Sequence, residues 1–581
     1  MTPHPIRPAL LSALLLAGAL ASAARAGGLR GETQLDLSIS PAGLTNSNST
    51  DVAASGNRVF VVWTETAVAP ATTNEIYLSR SDDGGRSWSS PVPLSSTTDS
   101  VDDSNADVSA DGDRVVVTWL HGASLTPQDV QAVASADGGA TFGSIADVSG
   151  NLKGDAGDSD LLTVHVDGLN VYVSFEDDAA NPTVSEDVYV ASSTDGGATW
   201  GNPVRVNDTA AGTVDSDDLE LKTTGSTAYL VWIDKRAGND RVYFDRTLDG
   251  GATWGTDKLL DRSGALADAD SPSMSVEGTS VHVVWTDDRN DVALADQVFY
   301  ASSSDSGATF TLDKKLGSAP LGKDADSARV SASGSHVYAL WADDRNGLND
   351  LFIAVSADGG ATFASEYAID SDVGTIKDES PHLRSRGDSV FVLFREEIAL
   401  VDQVWLAVSP DHGAPGTFAT QKLSTTLGAS FDADNEAFAV THGRDVVGAW
   451  VDNRAGGTNN DVYVNGQHFP NLTAVQHGRN FAFQLSDASP SEEGQLFLAV
   501  FSLTGTNPFL LPNGVNLNLT LDSFSLILLQ GWAIPLVSDT VQNGSATTLD
   551  LPLRSHGYAA AVVIDLQSLA VIAETDPVTF N

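Results

Sequence analysis

An alternating run closing on an aromatic residue recurs eight times: RVFVVW to Trp63, RVVVTW to Trp119, NVYVSF to Phe175, TAYLVW to Trp232, SVHVVW to Trp285, HVYALW to Trp341, SVFVLF to Phe394 and DVVGAW to Trp450. Successive anchors are 56, 56, 57, 53, 56, 53 and 56 residues apart. Eleven residues before each anchor the chain is again apolar, from Val52 and Val108 through to Leu383 and Ala439. A period this regular dictates stacked copies of one supersecondary unit. The strict alternation makes that unit a set of strands with one face buried.

The fifth unit shows the layout. SPSMSVEG is an inner strand, SVHVVWTD the second, DQVFYASSS the third, and TLDKKLG follows a tight turn as the outer strand. Four short antiparallel strands per unit are one blade of a β-propeller. The expectation is an all-β propeller of eight blades, or seven if a terminal unit is irregular. The eighth unit stops at Asn459–His468 without an outer strand, and Thr33–Pro41 (TQLDLSISP) resembles the missing piece. Pairing the two ends closes the ring and removes its open edges.

At 581 residues the chain is too long for one ordinary core unless the fold is a ring. There is no cysteine, so burial and hydrogen bonds must hold it together. Residues 1–26 carry Arg7, an apolar run and the small-residue pattern Ala24-Arg25-Ala26, which reads as a secretory signal cut before Gly27. That run is too short for a membrane span. A secreted protein, extracellular or periplasmic, is therefore expected. Net charge is −46, which opposes binding to nucleic acid or anionic membranes. After His468 the pattern changes to longer alternating strands, and residues 469–581 read as a separate small β-sandwich.

The tight turns are nearly identical. SADGGATF stands at Ser135–Phe142 and again at Ser356–Phe363, with close copies elsewhere, and six good copies centre on Asp83, Asp137, Asp195, Asp249, Asp305 and Asp358. A frayed seventh surrounds Asp411. The motif resembles the Asp-box, Ser-x-Asp-x-Gly-x-Thr-Trp, or bacterial neuraminidase repeat. Over Thr33–His468 the chain is similar to sialidase-type Asp-box propellers of secreted bacterial type. The resemblance implies that the boxes are structural and lie on the face away from the active site. It also implies that a sialidase would carry an arginine triad, a Glu-activated Tyr and an Asp acid/base. No triad residue matches position by position, and the stretch around Arg30 lacks the family's Arg-Ile-Pro-like signature.

The opposite rim is rich in acids. Loops leading into the inner strands read DSDD, DADSP, DADS, DESP and DADN, and two residues past the anchors stand Glu65, His121, Asp177, Asp234, Asp287, Asp343, Glu396 and Asp452. Four units add Arg236, Arg289, Arg345 or Arg454 two positions on. Repeated charges of this kind are expected to pair within the frame. Clustered carboxylates could also hold Ca²⁺, although no EF-hand-like loop is present.

A site is expected where the symmetry breaks. Twelve residues before the anchors, units four, six and seven place Glu220, Arg329 and His382, and unit seven adds Arg384, Arg395 and Glu396. If units six and seven adjoin, Arg329, His382 and Arg395 reach one mouth, which suits a ligand carboxylate or sulfate. The candidate ligand-binding set is thus Arg329, His382, Arg384, Arg395 and Glu220. Glu396 with Asp343 is the candidate catalytic pair. Two functions follow: a secreted glycan- or protein-binding module, or an exo-acting, sialidase-like glycosidase working at the mouth.

Overall fold

The computed structural model describes residues 35–38, most of 46–467 and, by backbone alone, the strands between Asn471 and Phe580. Every regular element among the described residues is a β-strand. Eight four-stranded antiparallel sheets form an eight-bladed β-propeller. The fourth blade is typical: Ser216–Thr224, Thr227–Asp234, Arg241–Thr247 and the short outer strand Lys258–Leu259, paired in chain order. In the eighth blade the outer strand is Leu35–Asp36, whose residues pair with Val464 and Tyr463. Leu37 N–H extends that ladder to the carbonyl of Val462 at 2.9 Å. The ring closes by joining its two ends, as the sequence predicts.

Contacts divide the chain into two compact units. One holds Gly31–His442 with Val446–Gly466, and the other includes Gln467–Asn581. The second unit contains a three-stranded and a five-stranded antiparallel sheet plus a two-stranded hairpin. Residues 1–34, including the expected signal segment, lie outside the described residues.

The propeller has no single core. Apolar clusters fill the space between successive blades, and the anchors sit inside them. Trp63 packs with Val447, Ala449 and Val464 of blade eight, Trp119 with Val62 and Leu78 of blade one, and Trp285 with Val231 and Phe244 of blade four. Six anchor tryptophans are less than 2% exposed. Burying a ring this large is worth several kcal/mol, with truncation to Ala typically costing about 3–5 kcal/mol.

The repeated turns join third and fourth strands at the end of each blade opposite the lead-in loops. In the second blade, Asp137 Oδ1 accepts from Ser135 Oγ and the Thr141 N–H, both at 2.8 Å, and Oδ2 accepts from Thr141 Oγ1 at 2.6 Å. The same three bonds recur around Asp83, Asp195, Asp249, Asp305 and Asp358. These donors, led by the Thr hydroxyl, hold Asp137, Asp195 and Asp358 down to about 2, and the Thr309 N–H heads the set that does the same for Asp305. The doubled glycine has two reasons. Gly138 and Gly139 both have positive φ, 68° and 74°, and a Cβ on Gly139 would come within 2.8 Å of the Phe60 ring on the previous blade. Each turn is therefore a clamp onto its neighbour. The seventh is looser: Ser409 Oγ bonds Thr417 at 2.6 Å, and the chain carries extra residues around Ala414.

Candidate functional site

Each inner strand breaks register near its rim end, as between Asp217 and Glu220 or Asp326 and Arg329. At that bulge six blades hold a non-glycine residue in the left-handed region: Ser49, Asn105, Asp218, Ser271, Ser327 and Ser380. Small polar side chains tolerate this conformation best. The break sets the parity of everything after it. Side chains twelve residues before the anchor in blades one to seven, and ten before it in blades two to seven, then line a central channel of about 650 Å³.

The ring at minus twelve reads Asp51, Asp107, Thr163, Glu220, Ser273, Arg329 and His382 around blades one to seven. Several of these are used by the wall itself. Asp51 accepts the Val108 N–H at 2.9 Å, Asp107 the Val164 N–H at 2.7 Å, and Glu220 the Met274 N–H at 2.6 Å. Each bond ties one inner strand to the next. Glu220 also pairs with Lys222 at 2.5 Å. It was expected to bind ligand; both its oxygens instead serve the frame. Burial and the neighbouring Asp51 carboxyl push Asp107 well above the usual carboxylate range.

Around blades six and seven the wall changes character. Arg329, His382 and Arg384 all line the channel. Arg329 Nη1 reaches only the adjacent Ala328 carbonyl at 2.9 Å, and Arg384 Nη1 only the Leu383 carbonyl at 3.2 Å. Arg384 also lies over the Phe438 ring at 5.7 Å. His382 is neutral at physiological pH, brought to about 3 by burial and then by Arg329, Arg384 and Arg395. His165, across the ring on blade three, is likewise brought to about 3 by burial, Lys222 and Arg384. It bonds Thr223 Oγ1 at 2.7 Å.

Arg395 does not join the channel wall. It turns to Ser380 Oγ at 2.8 Å, Glu436 at 3.2 Å, Asp402 at 3.3 Å and the Ala433 carbonyl at 3.2 Å, spanning blades seven and eight. Its field still reaches His382, but its donors are spent on the frame.

The candidate catalytic pair, Asp343 and Glu396, lies inside the blades. Asp343 is fully buried, and Arg345 grips both its oxygens. The Trp341 indole donates to Oδ2 at 3.4 Å. Arg345 goes on to Glu366 at 2.9 Å and stacks over Phe352 at 4.0 Å. Both oxygens of Asp343 are thus engaged within its own blade. Glu396 is buried at 4% exposure on the seventh blade, where it pairs in register with Asp378 and Gln403.

The same device repeats. Asp234 with Arg236 adds Asp257 and Tyr243, and Asp287 with Arg289 adds Asp261 and Phe299. Arg454 lies outside the described residues. Lead-in acids are tethers as well: Asp268 accepts the Asp240 N–H at 3.1 Å and Asp324 the Asp296 N–H at 2.8 Å, each from the preceding blade. Among the described residues, the carboxylates closest to a cation-binding arrangement are Glu379, Glu397 and Asp402, whose oxygens lie within 4.8 Å of one another. Lys377 touches Glu379, and Arg395 pairs with Asp402, so their charge is met by side chains.

Asp51, Asp107, His165 and Lys222 are channel residues that the sequence reading missed. Their signal was present, since they occupy the same two offsets from the anchors as Arg329 and Arg384.

No known family profile matches the sequence, and no curated protein matches it. Among solved structures the chain is similar to a protein of unknown function from Dyadobacter fermentans, at 15% identity over 54% of this chain and 95% of that one, with a TM-score of 0.38. It is also similar to an α-L-arabinanase of Penicillium chrysogenum complexed with arabinobiose, at 13% identity over 76% and 98%, TM-score 0.35. A Hadza microbial sialidase matches at 12% identity over 75% and 95%, TM-score 0.37. The propeller assignment rests on the strand pairing of this chain itself.

Proposed function

We propose that this chain is an exported Asp-box propeller that binds an extracellular glycan at its central channel and acts as a recognition module. One observation carries the reading. Arg329 and Arg384 present guanidinium donors to the channel that the frame does not use, whereas the rim arginines Arg236, Arg289 and Arg345 are each gripped by two or more carboxylates. Polar groups that converge on a concave space without serving the frame are what a ligand site offers.

Export is supported by the leader sequence, and the Asp-box identity by the eight-residue turn motif. A glycan is favoured as ligand by the resemblance of those turns to the bacterial neuraminidase repeat. The recognition role is supported by the engagement of both Asp343 oxygens by Arg345. No described helix is long and apolar enough to cross a membrane.

The test is a glycan screen run beside a panel of fluorogenic glycosides. Saturable glycan binding without turnover is expected. Turnover abolished by a channel substitution would replace the recognition role with a catalytic one.

A further inference from the structure

The channel has a second ring, ten residues before the anchors, and its charges are one-sided. Ser109, Ser275 and Ser331 are neutral, and so is His165, which burial brings to about 3; Lys222 is paired with Glu220, and Arg384 is left as the cation without a carboxylate partner, with no carboxylate in the ring itself. In a protein of net charge −46 this is an unusual place to find cations and no acids.

Arg329 stands one level nearer the rim on the adjacent blade. Among the described residues neither Arg329 nor Arg384 has a carboxylate within ion-pair distance. Acids do act on Arg329 from further away: Glu220, Asp218 and Asp326. Glu220, the first of them, is already held by Lys222 and the Met274 N–H. Two guanidinium groups therefore point into one cavity with most of their donors unspent. Two cations this close repel each other, and a bound anion would offset that cost.

The geometry also selects the shape of the anion. A carboxylate offers two oxygens in one plane, whereas a sulfate or phosphate group offers three or four set around a tetrahedron. Here the two forks come from neighbouring blades at two heights, two residues or about 7 Å apart along the strand. A tetrahedral group with several oxygens can take both, and a dianion matches two unpaired cations. His382 lines the same channel and, being neutral, adds one ring N–H as a further donor.

We infer that the channel wall of Arg329, His382 and Arg384 is a site for a tetrahedral oxyanion, a sulfate or phosphate group. This deepens the glycan reading by naming a sulfated or phosphorylated sugar as the ligand class, and it rests on the channel being the ligand site. Free inorganic sulfate or phosphate would bind through the same contacts.

The test is calorimetric titration of the purified full-length protein at pH 7 with sodium sulfate, sodium phosphate and, at matched ionic strength, acetate and chloride. Saturable binding of sulfate or phosphate is expected, tighter than acetate and accompanied by a rise in Tm. Arg384→Gln should weaken it at least tenfold while leaving the anion-free Tm unchanged, because Arg384 is exposed and makes one bond to its own neighbour. Arg329→Lys keeps the charge but loses the fork and should also weaken binding. No saturable binding, equal binding by Arg384→Gln, or acetate as tight as sulfate would overturn the site.

A sulfated monosaccharide and its unsulfated parent separate the sources. Tighter binding of the sulfated sugar than of free sulfate, lost in Arg384→Gln, supports both readings. If inorganic anions bind and no sugar does, the oxyanion site stands and the glycan reading fails. If the unsulfated sugar binds as well as the sulfated one, the glycan reading stands and the oxyanion site fails.

Discussion

Arg345 holds Asp343 through both carboxylate oxygens, Nε to Oδ1 at 2.9 Å and Nη2 to Oδ2 at 2.6 Å, inside a blade where Asp343 is wholly buried. With Trp341, Phe352 and Glu366 it forms a lock from second to outer strand. Asp287–Arg289 and Asp234–Arg236 build the same lock one and two blades earlier. Charges that repeat with the fold belong to the fold.

Removing one partner should show this. Arg345→Ala leaves Asp343 buried and uncompensated, a change that costs about 3–5 kcal/mol. A clear drop in Tm is expected, with channel ligand binding unaltered below the new transition. Adding Asp343→Asn, which removes the orphaned charge, should recover part of the loss. Thermal melts of the single and double variants check it.

The repeated turns give the ring an acid limit. Asp137, Asp195, Asp305 and Asp358 titrate near about 2 in the folded state, below their ordinary value, because hydroxyl and backbone donors favour the ionised form. Their folded values are depressed, so their contribution is complete above the unfolded carboxylate range and is lost as pH falls through about 2. Substituting all four with Asn should lower Tm at pH 6. The gap from wild type should narrow steadily between pH 4 and pH 2. A gap independent of pH would mean the carboxylate charge is not what the donors recognise.

Asp245 has the opposite sign. It is fully buried on the third strand of blade four, both oxygens lack a hydrogen-bond partner, and burial pushes it up to about 6. At the equivalent position blades five, six and seven carry Ala301, Ala354 and Ala407. The folded value is raised, so its cost to stability grows as pH rises from the unfolded carboxylate range to about 6 and is constant above. Asp245→Ala should therefore stabilise the protein at pH 7, by about 2–3 kcal/mol, and by much less at pH 4. Denaturant unfolding at the two pH values measures both.

Much of this was legible in the sequence. The even spacing from Trp63 to Trp450 pointed to eight blades, with seven left open, and the unpaired eighth unit pointed to Thr33–Pro41 as its missing strand. The offset of Glu220, Arg329 and His382 from their anchors singled out three channel residues, while Arg395, grouped with them, lies off the channel. What failed to show was the use each side chain makes of its neighbours. Glu220 shares an offset with Arg329, yet a backbone N–H of the next blade occupies it, and nothing in a linear sequence marks that bond. Arg395 sits one residue past an anchor and turns sideways to Glu436 and Asp402 of its surroundings. Asp343 could have been set aside from sequence alone, since the Asp-x-Arg spacing recurs in three consecutive blades. The bulge left a trace too: Ser, Asn or Asp falls fourteen residues before the anchor in the six blades that adopt positive φ there.

The central claim is that function resides in the channel at blades six and seven, away from the acidic rim. The most direct measurement is a glycan-array binding assay on three forms: wild type, the Arg329→Gln/Arg384→Gln double variant, and Asp268→Asn as a rim control. The account predicts a defined set of bound glycans for wild type and for the rim variant, and loss of that set in the channel variant with its fold intact by Tm. Binding retained by the channel variant, or no binding by any form, would contradict it.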